Sequence, residues 1–207
     1  ISESGRALVA HHSVLIVDVL GVSSPANTIV SMPLTAQAPV QLKRLYETCD
    51  SIDSLSPREA VHDAIALRED VNRLFNLGHA TLLDRAMADN MYWQIINKVS
   101  EQLDQEELAQ IFPELPLVAA DHYFCNFSVF QSLPDAWAIQ QVFPVMPIHR
   151  LNEKPTREAI LVDITCDSDG KLQQFPMADG IKPTLSLHEP RTGDKYLLGI
   201  FLVGAYQ

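Results

Sequence analysis

A β-sandwich or barrel-like domain carrying an inserted all-α helical bundle, α+β overall, is the fold class this 207-residue sequence predicts. Three observations predict it. Within Ala7 to Val22 the run LVAHHSVLIVDVLGV is dense in branched, strand-forming residues. From about residue 38 to 115 the apolar spacing changes to three and four, the signature of helices with one buried face. After Pro116 alternation returns and holds to the end of the chain. The domains are therefore expected at 1–37 with 116–207, as the β part, and at 38–115, as the bundle.

Taken in order, Ala7–Val22 reads as one long strand, or as two broken near His11 and His12. Adjacent histidines on a strand point to opposite faces, which makes a shared metal site a poor reading of that pair. A loop rich in Ser, Pro and Thr follows to Gln37. Leu42, Leu45, Tyr46, Cys49 and Ile52 then share a helix face. Ser56, Pro57 and Glu59 spell a helix start, with a hydroxyl cap, a first-turn proline and an acid three residues after the cap. That helix ends near Gly78. A further helix carries Leu82 to Leu103, and a short one around Leu108 to Phe112 is closed by Pro113 and Pro116.

In the second β part, Tyr123–Gln131 alternates as a half-buried strand, and Ser132–Trp137 reads as a turn beside it. The run QVFPVMPIHRL carries Pro144 and Pro147, which places its strand at a sheet edge. Ile160–Ile164 is a short, branched, buried strand. A hairpin around Asp179 and Gly180 and a last strand from Tyr196 to Tyr206 complete six to eight strands, the early ones pairing with the late ones across the insertion.

Fifteen Lys and Arg against 26 Asp and Glu give a net charge of −11, which argues against duplex nucleic acid and anionic membranes as partners and tolerates a cationic small substrate. Cys49, Cys125 and Cys166 are odd in number and widely spaced, without CxxC pairing, as in a reducing compartment and without a zinc site. The chain starts at Ile1 without methionine and stops directly after an apolar strand, which reads as part of a longer protein.

The stretch AILVDITCDSDG concentrates the chemistry. Cys166, Asp167 and Asp169 are presented together where a strand ends and Gly170 turns the chain. A thiol of lowered pKa moves protons or attacks carbonyls, and paired carboxylates hold a cation or fork a guanidinium. The same residues also read as a solvated acidic turn with Cys166 a half-buried bystander. Glu3 and Arg6 likewise read either as a surface ion pair or as site residues ahead of a buried strand.

Four pieces in order, SESGR, NFSVFQSLPDAW, DITCDSDG and GAYQ, resemble the C-terminal portion of the biosynthetic arginine decarboxylase family. These are pyridoxal-phosphate enzymes with a TIM barrel followed by a β-sandwich, the alanine racemase and ornithine decarboxylase-like fold, and the helical block fits an insertion that the arginine enzymes carry. The resemblance implies that residues 1 onward leave the end of an upstream barrel, which also holds the Schiff-base lysine. It implies that Glu3 pairs with the cofactor's pyridine nitrogen and that Arg6 and Tyr206 contact its phosphate. Cys166 would be donated across a dimer interface as the proton donor to the α-carbon, with Asp167 the partner of the substrate's distal cation. Asp169 is added as a second carboxylate suited to a guanidinium. The implied activity turns L-arginine into agmatine and carbon dioxide, in a cytoplasmic homo-oligomer serving polyamine synthesis, with Mg2+ allowed by the family. The alternatives are a decarboxylase of ornithine, lysine or diaminopimelate and a non-catalytic regulatory homologue.

Overall fold

A computed structural model describes residues 5–25, 33–35, 37–191 and 193–204. The first elements are α1 (Gly5–Val9) and β1 (Ser13–Ser23). The helical elements α2 (Val40–Asp50), α3 (Pro57–Asn76), α4 (Leu82–Gln102), α5 (Gln105–Ile111) and α6 (Leu115–Val118) follow. Next come β2 (Asp121–Cys125), α7 (Val129–Ser132), α8 (Pro134–Ala138), β3 (Val145–Pro147) and β4 (Arg157–Val162). The chain closes with β5 (Lys171–Leu172), β6 (Phe175–Met177), β7 (Gly180–Lys182), β8 (Leu185–Leu187) and β9 (Leu197–Val203). These divide into two compact units, Ile1–Pro25 with Pro116–Gln207, and Ala26–Leu115.

In the second unit, a bundle, α3, α4 and α5 start where side chains satisfy their first free amides, while α2 follows Pro39 without a side-chain cap. Ser56 Oγ accepts from Glu59 N at 3.2 Å, as the Ser-Pro-x-Glu pattern predicts. Thr81 and Asp84 form a reciprocal capping box, with Asp84 N on Thr81 Oγ1 at 3.1 Å and Thr81 N on Asp84 Oδ2 at 2.8 Å. Asp104 does the same for α5, its Oδ1 accepting from Glu106 N and Glu107 N at 2.9 Å each. Leu42 and Leu45 of α2, Val61 and Val71 of α3, and Met91, Tyr92, Ile95 and Val99 of α4 are buried together as the bundle core. The Arg68 guanidinium lies 4.6 Å from the Tyr92 ring centroid, with its Nε on Asp89 Oδ1.

The first unit is a mixed seven-stranded sheet in the order β3-β9-β1-β2-β4-β5, with β8 on the opening residues of β4, beside a separate β6–β7 hairpin. All of its pairings are antiparallel except β2 with β4. The α+β class read from the sequence is the class observed. β1 pairs with β9 at one edge and with β2 at the other, so the early strand does join the late ones. The proline-broken strand β3 ends the sheet. Tyr123, Leu161, Phe175, Leu187, Leu198 and Ile200 form the heart of its core.

Three local expectations differ. Residues 5–9 are helical, and the chain turns at His11, with φ 66°, before β1 begins. His11 is therefore not a strand residue; its ring Nδ1 lies 3.1 Å from Leu202 O. The strand expected over Tyr123–Gln131 stops at Cys125, and its second half is the single turn α7. Asp163 causes that break: its Oδ2 takes the Val129 amide at 2.8 Å, a donor a strand would have given to a neighbour. Ser132–Trp137, expected as an open turn, is largely the short helix α8 with Pro134 at its start. The described residues form nine strands rather than six to eight, because the late segment divides into short pieces.

Candidate functional site

The stretch from Asp163 to Gly170 is an ordered loop leaving the end of β4. Asp163, only 3% exposed, organises it. Its Oδ1 accepts from Thr165 N at 3.1 Å and Thr165 Oγ1 at 2.7 Å, while Oδ2 holds Val129. The loop closes on itself where Asp163 N donates to Gly170 O at 2.8 Å and Gly170 N to Asp167 O at 3.1 Å. Gly170 is required here: a Cβ would stand 2.0 Å from Asp163 Oδ1 and 2.7 Å from Thr165 Oγ1.

On this frame Cys166, Asp167 and Asp169 are all exposed, so the structure brings the three predicted loop residues to one surface. Asp169 N donates to Asp167 Oδ1 at 2.9 Å, a turn in which one carboxylate orients the backbone of the next acid. Asp169 also borders a cavity of ≈280 Å³ lined by Trp137, Gln140, Gln141 and Lys171 among others, which neither Cys166 nor Asp167 lines. Gln140 holds φ 56° at its wall. The other two thiols are of a different kind. Cys125 is fully buried and pushed up to about 12 by that burial, with Asp18 adding to it. Cys49 is also raised, by burial first.

Glu3 and Tyr206 lie outside the described residues. Arg6 falls within α1. The described chain next to these positions does converge: a Cβ on Gly204, φ 134°, would meet Val9 O at 2.6 Å and His12 N at 3.3 Å. The end of α1 and the end of β9 are thus in close contact, which only a glycine at 204 permits. Among the described residues no three His, Cys, Asp or Glu side chains gather as a metal site. Nor is any described helix long and apolar enough to cross a membrane.

Sequence reasoning missed Asp163 as the loop's organiser. Its signal was present in DITCDSDG as an acid directly after a buried strand and two residues before a threonine, a spacing at which a carboxylate bonds the amide two residues on.

A family model described as the arginine decarboxylase helical bundle domain matches residues 35–115. Biosynthetic arginine decarboxylase from Deinococcus radiodurans is 45% identical over 212 aligned residues, covering 100% of this chain and 32% of that protein. The one from Thermosynechococcus vestitus is 46% identical over 208, again covering 100% of this chain and 32% of the relative. The crystal structure of the biosynthetic arginine decarboxylase SpeA from Campylobacter jejuni matches 98% of this chain and 32% of that one, at 37% identity and a TM-score of 0.71. The chain spans about a third of the length of the relatives it matches. With the bundle, the β unit and the strand-end loop all inside that match, the chain is homologous along its whole length to a C-terminal portion of the biosynthetic arginine decarboxylases.

Proposed function

We propose that this chain is the C-terminal part of a pyridoxal-phosphate-dependent decarboxylase that releases carbon dioxide from L-arginine to give agmatine, in a polyamine route. The observation that carries the reading is the match of the whole 207-residue chain to proteins named biosynthetic arginine decarboxylase, at 42–46% identity.

The residues suit that chemistry. When bound, pyridoxal phosphate supplies a protonated ring that takes up the electron pair left as carbon dioxide departs. Cys166, on the exposed crest of the loop, delivers a proton to the α-carbon of a substrate seated against it. Asp167 faces the substrate's distal cation, and the amide of Asp169 on its Oδ1 fixes the carboxyl plane. Asp169 supplies a second carboxylate, matched to the planar, two-pronged guanidinium. Asp163 and Gly170 hold the loop and touch no reactant. Glu3, Arg6 and Tyr206 are the cofactor-binding residues of this proposal, on the resemblance of SESGR and GAYQ to that family. The remaining partners are the protein's own upstream barrel and a second subunit that receives the Cys166 loop. Mg2+ has no donor cluster among the described residues and is left out of the reading.

The test uses the full-length protein with pyridoxal phosphate. Carbon dioxide release is followed from arginine, ornithine, lysine and diaminopimelate, in the parent and in Cys166→Ala. Selective release from arginine, with a hundredfold or greater loss or a changed product in the variant, is the expected result. Turnover of another substrate moves the specificity, and turnover of none overturns the reading.

A further inference from the structure

A second polar site lies where β3 ends and β9 begins, and it shares no residue with the Cys166 loop. Arg150 holds a left-handed backbone, φ 57°, a conformation that non-glycine residues adopt only when their surroundings impose it. Its guanidinium is fixed on three sides. Nε and Nη2 donate to Glu153 Oε2 at 2.9 and 2.8 Å, and Nη1 donates to Glu189 O at 2.8 Å. Arg191 Nη2 reaches the same Glu153 oxygen at 2.8 Å, so two guanidiniums are clamped side by side on one carboxylate.

Behind them stands a buried support. The His188 ring, 3% exposed, lies between Glu153 O at 3.0 Å and Tyr196 Oη at 2.8 Å. His188 N donates to Tyr196 Oη at 3.0 Å, and Tyr123 Oη donates to His188 O at 3.1 Å. This frame opens onto a cavity of ≈310 Å³ lined by His149, Arg150, Arg191, Asp194, Lys195 and Tyr196. Arg150, Arg191 and Lys195 line it beside one carboxylate, Asp194, with Glu153 held by the two arginines, in a chain whose net charge is −11. Lys195 forms no ion pair among the described residues. The guanidiniums keep further N–H groups beyond those that Glu153 and Glu189 engage.

We propose that this cavity binds a small oxyanion of the phosphate class. Two planar forks held on one carboxylate and an exposed ammonium complement a tetrahedral anion, and the His188–Tyr196–Tyr123 support places the first fork before any ligand arrives. The volume exceeds that of a bare phosphate, so both inorganic phosphate and an organic phosphomonoester fit. The site stands whether or not the decarboxylase reading does.

Calorimetric titration tests it on the full-length protein reconstituted with pyridoxal phosphate and freed of the excess by gel filtration, in phosphate-free buffer at constant ionic strength set by chloride. Inorganic phosphate and glycerol 3-phosphate are the two probes. One saturable site per chain is expected, weakened at least tenfold in the double variant Arg191→Gln, Lys195→Gln and at least threefold in Lys195→Gln alone. The single variant guards against misfolding, since Lys195 has no ion pair among the described residues. Tighter binding of glycerol 3-phosphate assigns the site to organic phosphates, and equal binding assigns it to the inorganic ion. Heats no larger than the chloride control, or binding undiminished in both variants, overturn the proposal.

Discussion

Asp163 carries more of the loop than either acid that the sequence advertises. Removing it in Asp163→Ala leaves the buried amide of Val129 and the Thr165 hydroxyl without their acceptor. The Val129 amide is the buried one, and an orphaned buried donor costs about 1–3 kcal/mol, so a loss of that size in urea unfolding is expected. Gly170→Ala drives a methyl into the same carboxylate, and overpacking of that sort lowers stability by about 1–3 kcal/mol. The cysteines divide by burial. In peptide-level alkylation of the native protein Cys166 is expected to label first, and Cys49 and Cys125 only after denaturant is added, because both are buried and both thiols are shifted upward. At this scale the sequence displayed the exposed chemistry well: Cys166, Asp167 and Asp169 occupy one surface loop as their turn residues implied. Asp163 was the one overlooked, although its place directly after the strand and two residues before Thr165 marked it.

Among the elements, the long helices α3 and α4 were legible from their apolar spacing, and α3 also from the Ser-Pro-x-Glu start that its side chains spell out. Thr81→Ala removes one half of the α4 box and is expected to cost about 1 kcal/mol, read as a lower melting temperature of the bundle. The short elements were not legible. Residues 7–9 and 129–131 are strand-forming by type, yet they lie in α1 and α7, where tertiary bonds at His11 and Asp163 outweigh local preference. One pairing has a pH consequence. His122 of β2 has its imidazole held below the ordinary value of 6.5, first by burial and then by Lys171 of β5, with Asp121 opposing. The unfolded chain therefore takes up that proton before the folded one does. Stability is complete above about pH 6.5 and falls as the pH drops from there toward the depressed value. In His122→Gln that segment of the stability profile, followed by denaturant midpoint between pH 7 and 5, is expected to be flatter.

For the whole molecule, the expected division rested on a change of apolar period at about residue 38 and a return after Pro116, whereas the compact units divide after Pro25 and after Leu115. The sheet order was not legible, because the parallel β2–β4 contact depends on a crossover through α7, α8 and β3 that no local pattern encodes. The insertion has a simple geometry at its base. Ser23 of β1 is paired with His122 of β2, so the chain leaves and re-enters the sheet at adjacent positions. Replacing residues 26–118 by a short Asn-Gly turn is expected to leave a β unit that still unfolds cooperatively. A non-cooperative transition would show that the sheet needs the bundle. The same pairing bears on how the chain reaches its native state. β1 must find β9 from the far end of the sequence, a contact of high order and hence slow to form. Helices form from neighbours along the chain and gather in microseconds to milliseconds. Once they have gathered, the long excursion between Ser23 and His122 behaves kinetically as a short loop, and β1–β2 becomes a nearly local hairpin. The closing of β1 on β9 is then left as the slow step of refolding, which makes β9 the last strand of this sheet to lose its exposure to proteases.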